Sequence, residues 1–223
     1  MKKRVREQEQ DPFAAFKILS ETKMMLTVPL MLFAGLVTAT KASICVKFWV
    51  SLINDSESLL DEYEDIEEDQ KNALAIYTYT FFGIGTCTGA IVLGMVQDKF
   101  GHRASLSLLA VTIISTYTLF LVLNEKRRFD WTANLAMFIF GFVDNSLHTF
   151  LSAVLGFEFE SKIVPFGARH FLWGLSVGSH LIFFSFVKIE TQSHYRPFFG
   201  WSVIFGLFST CLMFLIKYKK REL

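Results

Sequence analysis

Six long apolar stretches run through this chain, and clusters of charged residues separate them. Stretches of at least about 17 residues are long enough to cross a bilayer as helices. Only helices are expected, because in lipid each segment must satisfy its own backbone hydrogen bonds. The predicted spans run from Met24 to Val50, Ala73 to Val96, Ala104 to Leu123, Trp131 to Phe157, Phe171 to Val187 and Phe198 to Ile216. The predicted fold is therefore an all-α membrane protein, with a six-helix transmembrane bundle over residues 24–216.

The composition agrees with a membrane location. Hydrophobic residues make up 52% of the 223 residues and charged residues only 19%, whereas soluble domains carry about 25% charged residues. This excludes a soluble enzyme domain and makes the lipid bilayer the expected environment. The net charge of +1 gives no argument for a nucleic-acid partner.

Basic residues predict the orientation of the bundle. Six spans place both termini on one side, and that side carries 14 Lys and Arg residues against 6 on the other. The positive-inside rule then places the termini in the cytosol, or in the matrix of a mitochondrion. The cluster at 126–128 opposes this rule. The sequence does not name the membrane, and the mitochondrial inner membrane is one candidate, since the first ten residues carry four basic side chains.

Three segments lie outside the predicted bundle. In residues 1–23, Asp11-Pro12 is a good helix start, so an amphipathic helix in the membrane interface is expected, with a solvated tail as the alternative. Residues 51–72 form a loop on the opposite side that contains nine of the 21 acidic residues. We expect a solvated amphipathic segment there, or a docking surface for a basic partner. Residues 217–223 form a basic tail.

The loop between the second and third spans carries a recognisable motif. Residues 94–103 read GMVQDKFGHR, which resembles the major facilitator superfamily signature G-x-x-x-D-[RK]-x-G-[RK]-[RK], with His102 in one basic position. The motif residues are Gly94, Asp98, Lys99, Gly101 and Arg103. We expect Gly94 to allow close helix approach and Gly101 to allow a tight reversal. Asp98 and Arg103 are expected to bridge or cap the helix ends.

Two further segments narrow the resemblance. Residues 16–36 resemble the entry to span seven of uncoordinated-ninety-three-like proteins, a branch of that superfamily, and residues 141–149 (GFVDNSLHT) resemble their span ten. The likeness covers residues 13–216 but only the C-terminal half of the twelve-helix family fold. It implies two six-helix halves related by an axis along the membrane normal, with any substrate path between them. The expectation is that the first six helices are missing and that this half pairs with a second copy, a separate N-terminal half or another membrane protein.

Asp144 is the most informative single residue, because it lies near the middle of the fourth predicted span. An ionisable residue at that depth is a candidate functional site. His148 and Ser152 follow at i+4 and i+8, on the same helix face. In the family fold, spans seven and ten line the central cavity, which implies that Lys41 lies within reach of Asp144, at a depth differing by about 6 Å. We therefore predict a polar intramembrane patch of Asp144, His148, Lys41 and Ser152, acting as a structural pair, a proton or substrate relay, or a protein contact.

Other candidate chemistry is sparse. The three cysteines all lie in apolar stretches, which excludes a disulfide framework and a thiolate metal site. No nucleophile–base pair, phosphate-binding glycine loop or metal-ligand spacing is present, so no enzyme activity, cofactor or metal is expected. Gly85 and Gly89 predict close helix packing. His180 is expected to be a hydrogen-bonded core histidine, and the 25 phenylalanines are expected to face lipid.

Two functions fit these observations. The first is a non-catalytic accessory or scaffolding subunit of a larger membrane complex, whose partners are other integral membrane proteins. The second is a half-transporter that completes a solute or ion carrier by dimerising or by pairing with another half. Lack of a complete two-half pathway favours the first function, and the patch around Asp144 favours the second.

Overall fold

The computed structural model describes residues 14–55, 68–159, 161, 163–187, 189 and 191–218. These residues fold into eight α-helices, and no strand occurs among them. The helices are α1 (Ala14–Leu19), α2 (Thr22–Ser43), α3 (Cys45–Asp55), α4 (Glu68–Phe100), α5 (His102–Lys126), α6 (Trp131–Glu158), α7 (Ile163–Phe186) and α8 (Gln192–Phe214). The Asp11-Pro12 helix start, most of the acidic loop and the end of the basic tail lie outside the described residues.

Five of these helices are long and apolar enough to cross a membrane: α2, α4 from Asp69, α5, α6 and α8. The chain is therefore a multi-pass helical membrane protein. The predicted span from Phe171 to Val187 lies largely on α7, which is 24 residues long but is not among these five. Arg169, His170 and His180 lie on this helix.

The first predicted span is two helices rather than one. Helix α2 ends at Ser43 and α3 begins at Cys45, with Ile44 between them. The Ile44 N–H donates to the carbonyl of Thr40, and the Phe48 N–H donates to the carbonyl of Ile44, both at 2.9 Å. The hydrogen-bonded chain therefore continues through the joint, and the combined segment is longer than the predicted span.

The helices pack in two neighbouring groups: α4 and α5 pack on α6, and α7 and α8 pack on α2. Contacts of α2 with α6 and of α5 with α8 join the two groups. Helix α6 packs most closely on α4 and then on α5, while α7 packs on α2, and α8 packs on α5 and α2. Helices α6 and α7 contact each other sparsely, although α2 contacts both. One side of α6 is consequently left open between α4 and the α2–α7 pair.

Glycines explain the close approach of α4 and α6. A Cβ atom at Gly85 would lie 2.0 Å from the carbonyl oxygen of Phe138, and one at Gly89 would lie 2.4 Å from that of Phe142. From the other side, a Cβ at Gly141 would lie 2.1 Å from the carbonyl oxygen of Phe82. The predicted small-residue packing at Gly85 and Gly89 is confirmed, since any side chain there would force the helices apart.

An aromatic cluster forms much of the core, which corrects the prediction that the phenylalanines face lipid. The Phe48 ring lies 5.0 to 5.9 Å from those of Trp49, Phe120, Tyr195 and Phe199. All five side chains are almost fully buried. Edge-to-face and tilted contacts of this kind add packing energy beyond the area they bury. Other phenylalanines, including Phe100 and Phe186, are exposed.

Candidate functional site

The structure brings Asp144 and Lys41 into contact at the middle of the bundle. Asp144 lies about 20 Å along the α6 axis from either end of that helix. The Lys41 Nζ lies 2.9 Å from Asp144 Oδ2. The Asp144 side chain is 9% exposed and that of Lys41 is 29% exposed, so the pair lies at the edge of the core. Lys41 also lies 4.9 Å from the ring centroid of Phe82, a cation–π contact that helps to hold the ammonium group.

His148 and Ser152 extend this patch along α6. The His148 Nε2 lies 3.9 Å from Asp144 Oδ1, one helical turn away, which is too long for a hydrogen bond. Asp144 Oδ1 is buried and has no hydrogen-bond partner in the part of the chain that the structure describes. The Ser152 hydroxyl donates to the His148 carbonyl at 2.7 Å. Asp144, His148 and Ser152 thus share one face of α6, and Lys41 joins them from α2 through its contact with Asp144.

Arg169 of α7 is a fifth member of the patch, and sequence reasoning missed it. Its Nη1 donates to Ser152 Oγ at 2.7 Å and its Nη2 donates to His148 Nδ1 at 2.8 Å. Only 7% of Arg169 is exposed. The sequence reading placed Arg169 in a loop, because α7 begins eight residues before the predicted span. The spacing of Arg169 with Trp173 and His180 on one helix face was the signal that could have found it.

The face of α7 that carries Arg169 and Trp173 also packs on α2, and this contact joins the patch to α2. The Trp173 Nε1 donates to Thr38 Oγ1 at 3.4 Å, and its ring lies 6.1 Å from that of His148. The Ser176 hydroxyl donates to the carbonyl of Leu32 at 2.6 Å. Helix α7 can approach this closely because α2 carries Gly35 opposite Ser176. His180 has the predicted hydrogen bond, from Nδ1 to the Ser176 carbonyl at 2.7 Å.

The patch opens onto a polar face of α6. We call this the α6 open face: it consists of Asn145, His148, Thr149, Ser152, Ala153 and Gly156, all of which are half-buried. The first five line a shallow depression of about 460 Å³. Asn145 is held by a hydrogen bond from its Nδ2 to the Thr86 carbonyl of α4 at 2.9 Å. The face is therefore polar along most of its length, and the described residues leave it half-exposed.

The facilitator-type loop is a tight joint between α4 and α5. Gly101 has a φ of +82°, a left-handed conformation that favours glycine, so the predicted reversal is explained. Among the described residues, nothing lies within 4 Å of a Cβ position at Gly94, so the close helix approach expected there stays a prediction. Asp98, Lys99 and Arg103 are exposed at this end, and the bridging or capping role expected of Asp98 and Arg103 stays a prediction.

His102 is buried rather than a surface basic residue. Its Nδ1 lies 2.8 Å from Gln97 Nε2, and its ring lies 4.7 Å from the Tyr218 ring and 6.2 Å from that of Phe150. Beside it, Lys23 pairs with Glu158 at 2.7 Å. Burial, with the nearby Glu158 charge, raises the pKa of Tyr218. Among the described residues, the packing of His102 on Tyr218 and Phe150 and the ion pair of Lys23 with Glu158 therefore hold this end of the bundle together.

Arg127 closes the opposite end. Its Nη2 contacts the Ser51 carbonyl, the Ser51 hydroxyl and the Asp55 carboxylate. Burial lowers the pKa of the Arg127 guanidinium. Within the described ranges, no group of three His, Cys, Asp or Glu side chains is placed to hold a metal ion.

Comparison with protein-family models, with curated protein sequences and with solved structures finds no match to this chain. The class that the structure defines is a multi-pass helical membrane protein with a polar patch inside the bundle.

Proposed function

We propose that this chain is a non-catalytic accessory or scaffolding subunit of a larger membrane complex, built as a six-span bundle similar to one half of a major facilitator. In this proposal α7 also crosses the membrane, as the fifth of the six spans. The observation that carries it is the α6 open face. Amide, imidazole and hydroxyl groups stand half-exposed along the central and C-terminal turns of a helix long enough to cross the bilayer.

Lipid cannot satisfy these groups. Acyl chains offer no hydrogen bonds, and each buried polar group without a partner costs about 1 to 3 kcal/mol by mutational measures. Ionisable residues in membrane helices therefore face a protein interior or a water-filled cavity. A protein partner supplies contacts for the hydrogen-bonding capacity that these groups have left, and the small side chains at Ser152, Ala153 and Gly156 let its helix approach closely.

The resemblance to the facilitator fold supports the same arrangement. In that fold, the helices equivalent to α2 and α6 line the interface between the two halves. Lys41 and Asp144 come from those two helices and pair beside the open face. The partner would then occupy the position of the other half.

A steric test separates a covered face from a lipid-facing one. Gly156→Trp would place a large ring on the open face, at a position where a Cβ atom meets nothing within 4 Å among the described residues. Ile91→Trp is the matched control, because Ile91 is 62% exposed on α4. Native gels of mild-detergent extracts should show the Gly156 variant shifted to the mass of the lone chain and the Ile91 variant unchanged. An unshifted complex with the Gly156 variant would contradict the proposal.

A half-transporter is the second candidate, and the shape of the patch favours it. The depression of about 460 Å³ lies beside the pair of Lys41 and Asp144, where a solute or proton could bind. This function predicts an assembly of two six-helix halves, as a symmetric dimer or with one other half. Native mass spectrometry distinguishes it from an accessory subunit, which should be found with several different proteins.

A further inference from the structure

The polar patch carries one positive charge in excess. Arg169 Nη2 lies 2.8 Å from His148 Nδ1, and a guanidinium group has only donors. His148 Nδ1 must therefore accept this hydrogen bond, which makes the imidazole neutral with its proton on Nε2. Asp144 is balanced by Lys41 at 2.9 Å. The charge of Arg169 is then left over.

No carboxylate among the described residues balances Arg169. Its hydrogen-bond partners are the neutral groups Ser152 and His148. Glu158, the nearest acidic residue along α6 on that side, pairs with Lys23. Because Arg169 is only 7% exposed, water compensates little of its charge, and an isolated buried cation is costly.

The excess charge lies directly behind the α6 open face. Ser152 and His148 contact Arg169 and also line the depression on that face. Asn145 and Thr149 add further hydrogen-bonding groups to the lining. An anionic group seated in the depression would thus meet hydroxyl, amide and imidazole groups, with the guanidinium group close behind them.

We propose that the occupant is a transmembrane helix of a partner protein that carries an Asp or Glu opposite Arg169. The small residues favour a helix over a lipid, because Ser152, Ala153 and Gly156 are spaced for close backbone approach. Asn145, near mid-membrane, extends the polar lining beyond the depth of lipid phosphates. This inference rests on the proposed accessory function, to which it adds the chemistry of the partner.

The structure also gives the depth of the partner carboxylate. Ser152 lies about 9 Å along the axis from the Glu158 end of α6, and Arg169 lies about 9 Å from the Ile163 end of α7. Both ends lie on the side that carries Phe100 and Gly101. The acidic residue is therefore expected within about two turns of that end of the partner helix.

Photocrosslinking in the native membrane tests this inference. A benzoylphenylalanine at Ala153 should crosslink to a membrane span with an Asp or Glu at the stated depth, while the same probe at Ile91 should crosslink to lipid. Crosslinking at Ala153 to a span without a carboxylate would overturn this inference and leave the accessory function standing. Crosslinking to lipid alone would overturn both.

Charge reversal supplies the second arm. Arg169→Glu and Arg169→Gln should abolish the Ala153 crosslink, and changing the identified partner carboxylate to Lys should restore it with Arg169→Glu. Arg196→Glu is the control, because Arg196 is 74% exposed at the other end of the bundle, and its crosslink should not change. If the crosslink is lost and the Lys substitution in the partner does not restore it, Arg169 only supports the fold. If the crosslink is unchanged in both Arg169 variants, no partner carboxylate pairs with Arg169.

Discussion

The pair of Lys41 and Asp144 should stabilise the bundle through a strong coupling between the two side chains. Removing one member of a buried ion pair costs about 3 to 5 kcal/mol, because the other charge is left without a partner. Lys41→Met leaves Asp144, which is 9% exposed and already has one oxygen without a hydrogen-bond partner among the described residues. We expect this variant to lose about 3 to 5 kcal/mol of unfolding free energy.

The reciprocal variant, Asp144→Leu, should lose less unfolding free energy than Lys41→Met. Asp144→Leu leaves Lys41, which is 29% exposed and retains its contact with the Phe82 ring. We expect a loss of about 2 to 3 kcal/mol. The double variant replaces the pair by apolar groups and should lose less than about 2 kcal/mol, because such replacements are often neutral. The coupling energy is then about 3 kcal/mol or more.

Reversible unfolding in bicelles, measured by steric trapping, gives the four free energies of this cycle. The pair of Arg196 and Glu125, at 3.4 Å with side chains 74% and 52% exposed, is the control and should show a coupling below about 1 kcal/mol. Additive effects at Lys41 and Asp144, within about 0.5 kcal/mol, would refute the reasoning.

Two further predictions concern the bundle itself. Gly89→Leu should destabilise it by at least about 2 kcal/mol, because a Cβ there would lie 2.4 Å from a carbonyl oxygen of α6. Gly83→Leu should have little effect, because a Cβ at Gly83 meets nothing within 4 Å among the described residues. Equal losses of stability in the two variants would contradict the close packing. Single cysteines placed at Lys99, Arg128 and Thr191 test whether α7 crosses the membrane. An impermeant maleimide should label positions 128 and 191 from one side and position 99 from the other, whereas labelling of positions 99 and 191 from the same side would exclude α7 as a span.

The sequence predicted the helices well where apolar length alone decides them. All six predicted spans lie almost entirely on helices. The contact of Lys41 with Asp144 was expected because the family resemblance brings their helices together and the two residues lie at similar depth. The joint at Ile44 was not predictable, because the apolar stretch continues through it without a glycine or proline. Such a joint depends on how α2 and α3 pack against their neighbours.

Arg169 and the aromatic core show why the sequence did not predict the other features of the fold and the site. A basic residue near a predicted span end is assigned to a loop by default, so the earlier start of α7 concealed Arg169. Hydrophobicity also does not distinguish lipid-facing from buried side chains, because both environments are apolar. Phe48 and Phe199 are buried in aromatic contacts, a fact that depends on which helices are neighbours.

The central claim is that the α6 open face is covered by protein. The most direct test places a spin label at Thr149 and another at Ile91 and measures collision with oxygen dissolved in the native membrane. The account predicts that oxygen reaches the label at Ile91 freely and the label at Thr149 hardly at all. Equal oxygen accessibility at the two positions would show that Thr149 faces lipid and would contradict the account.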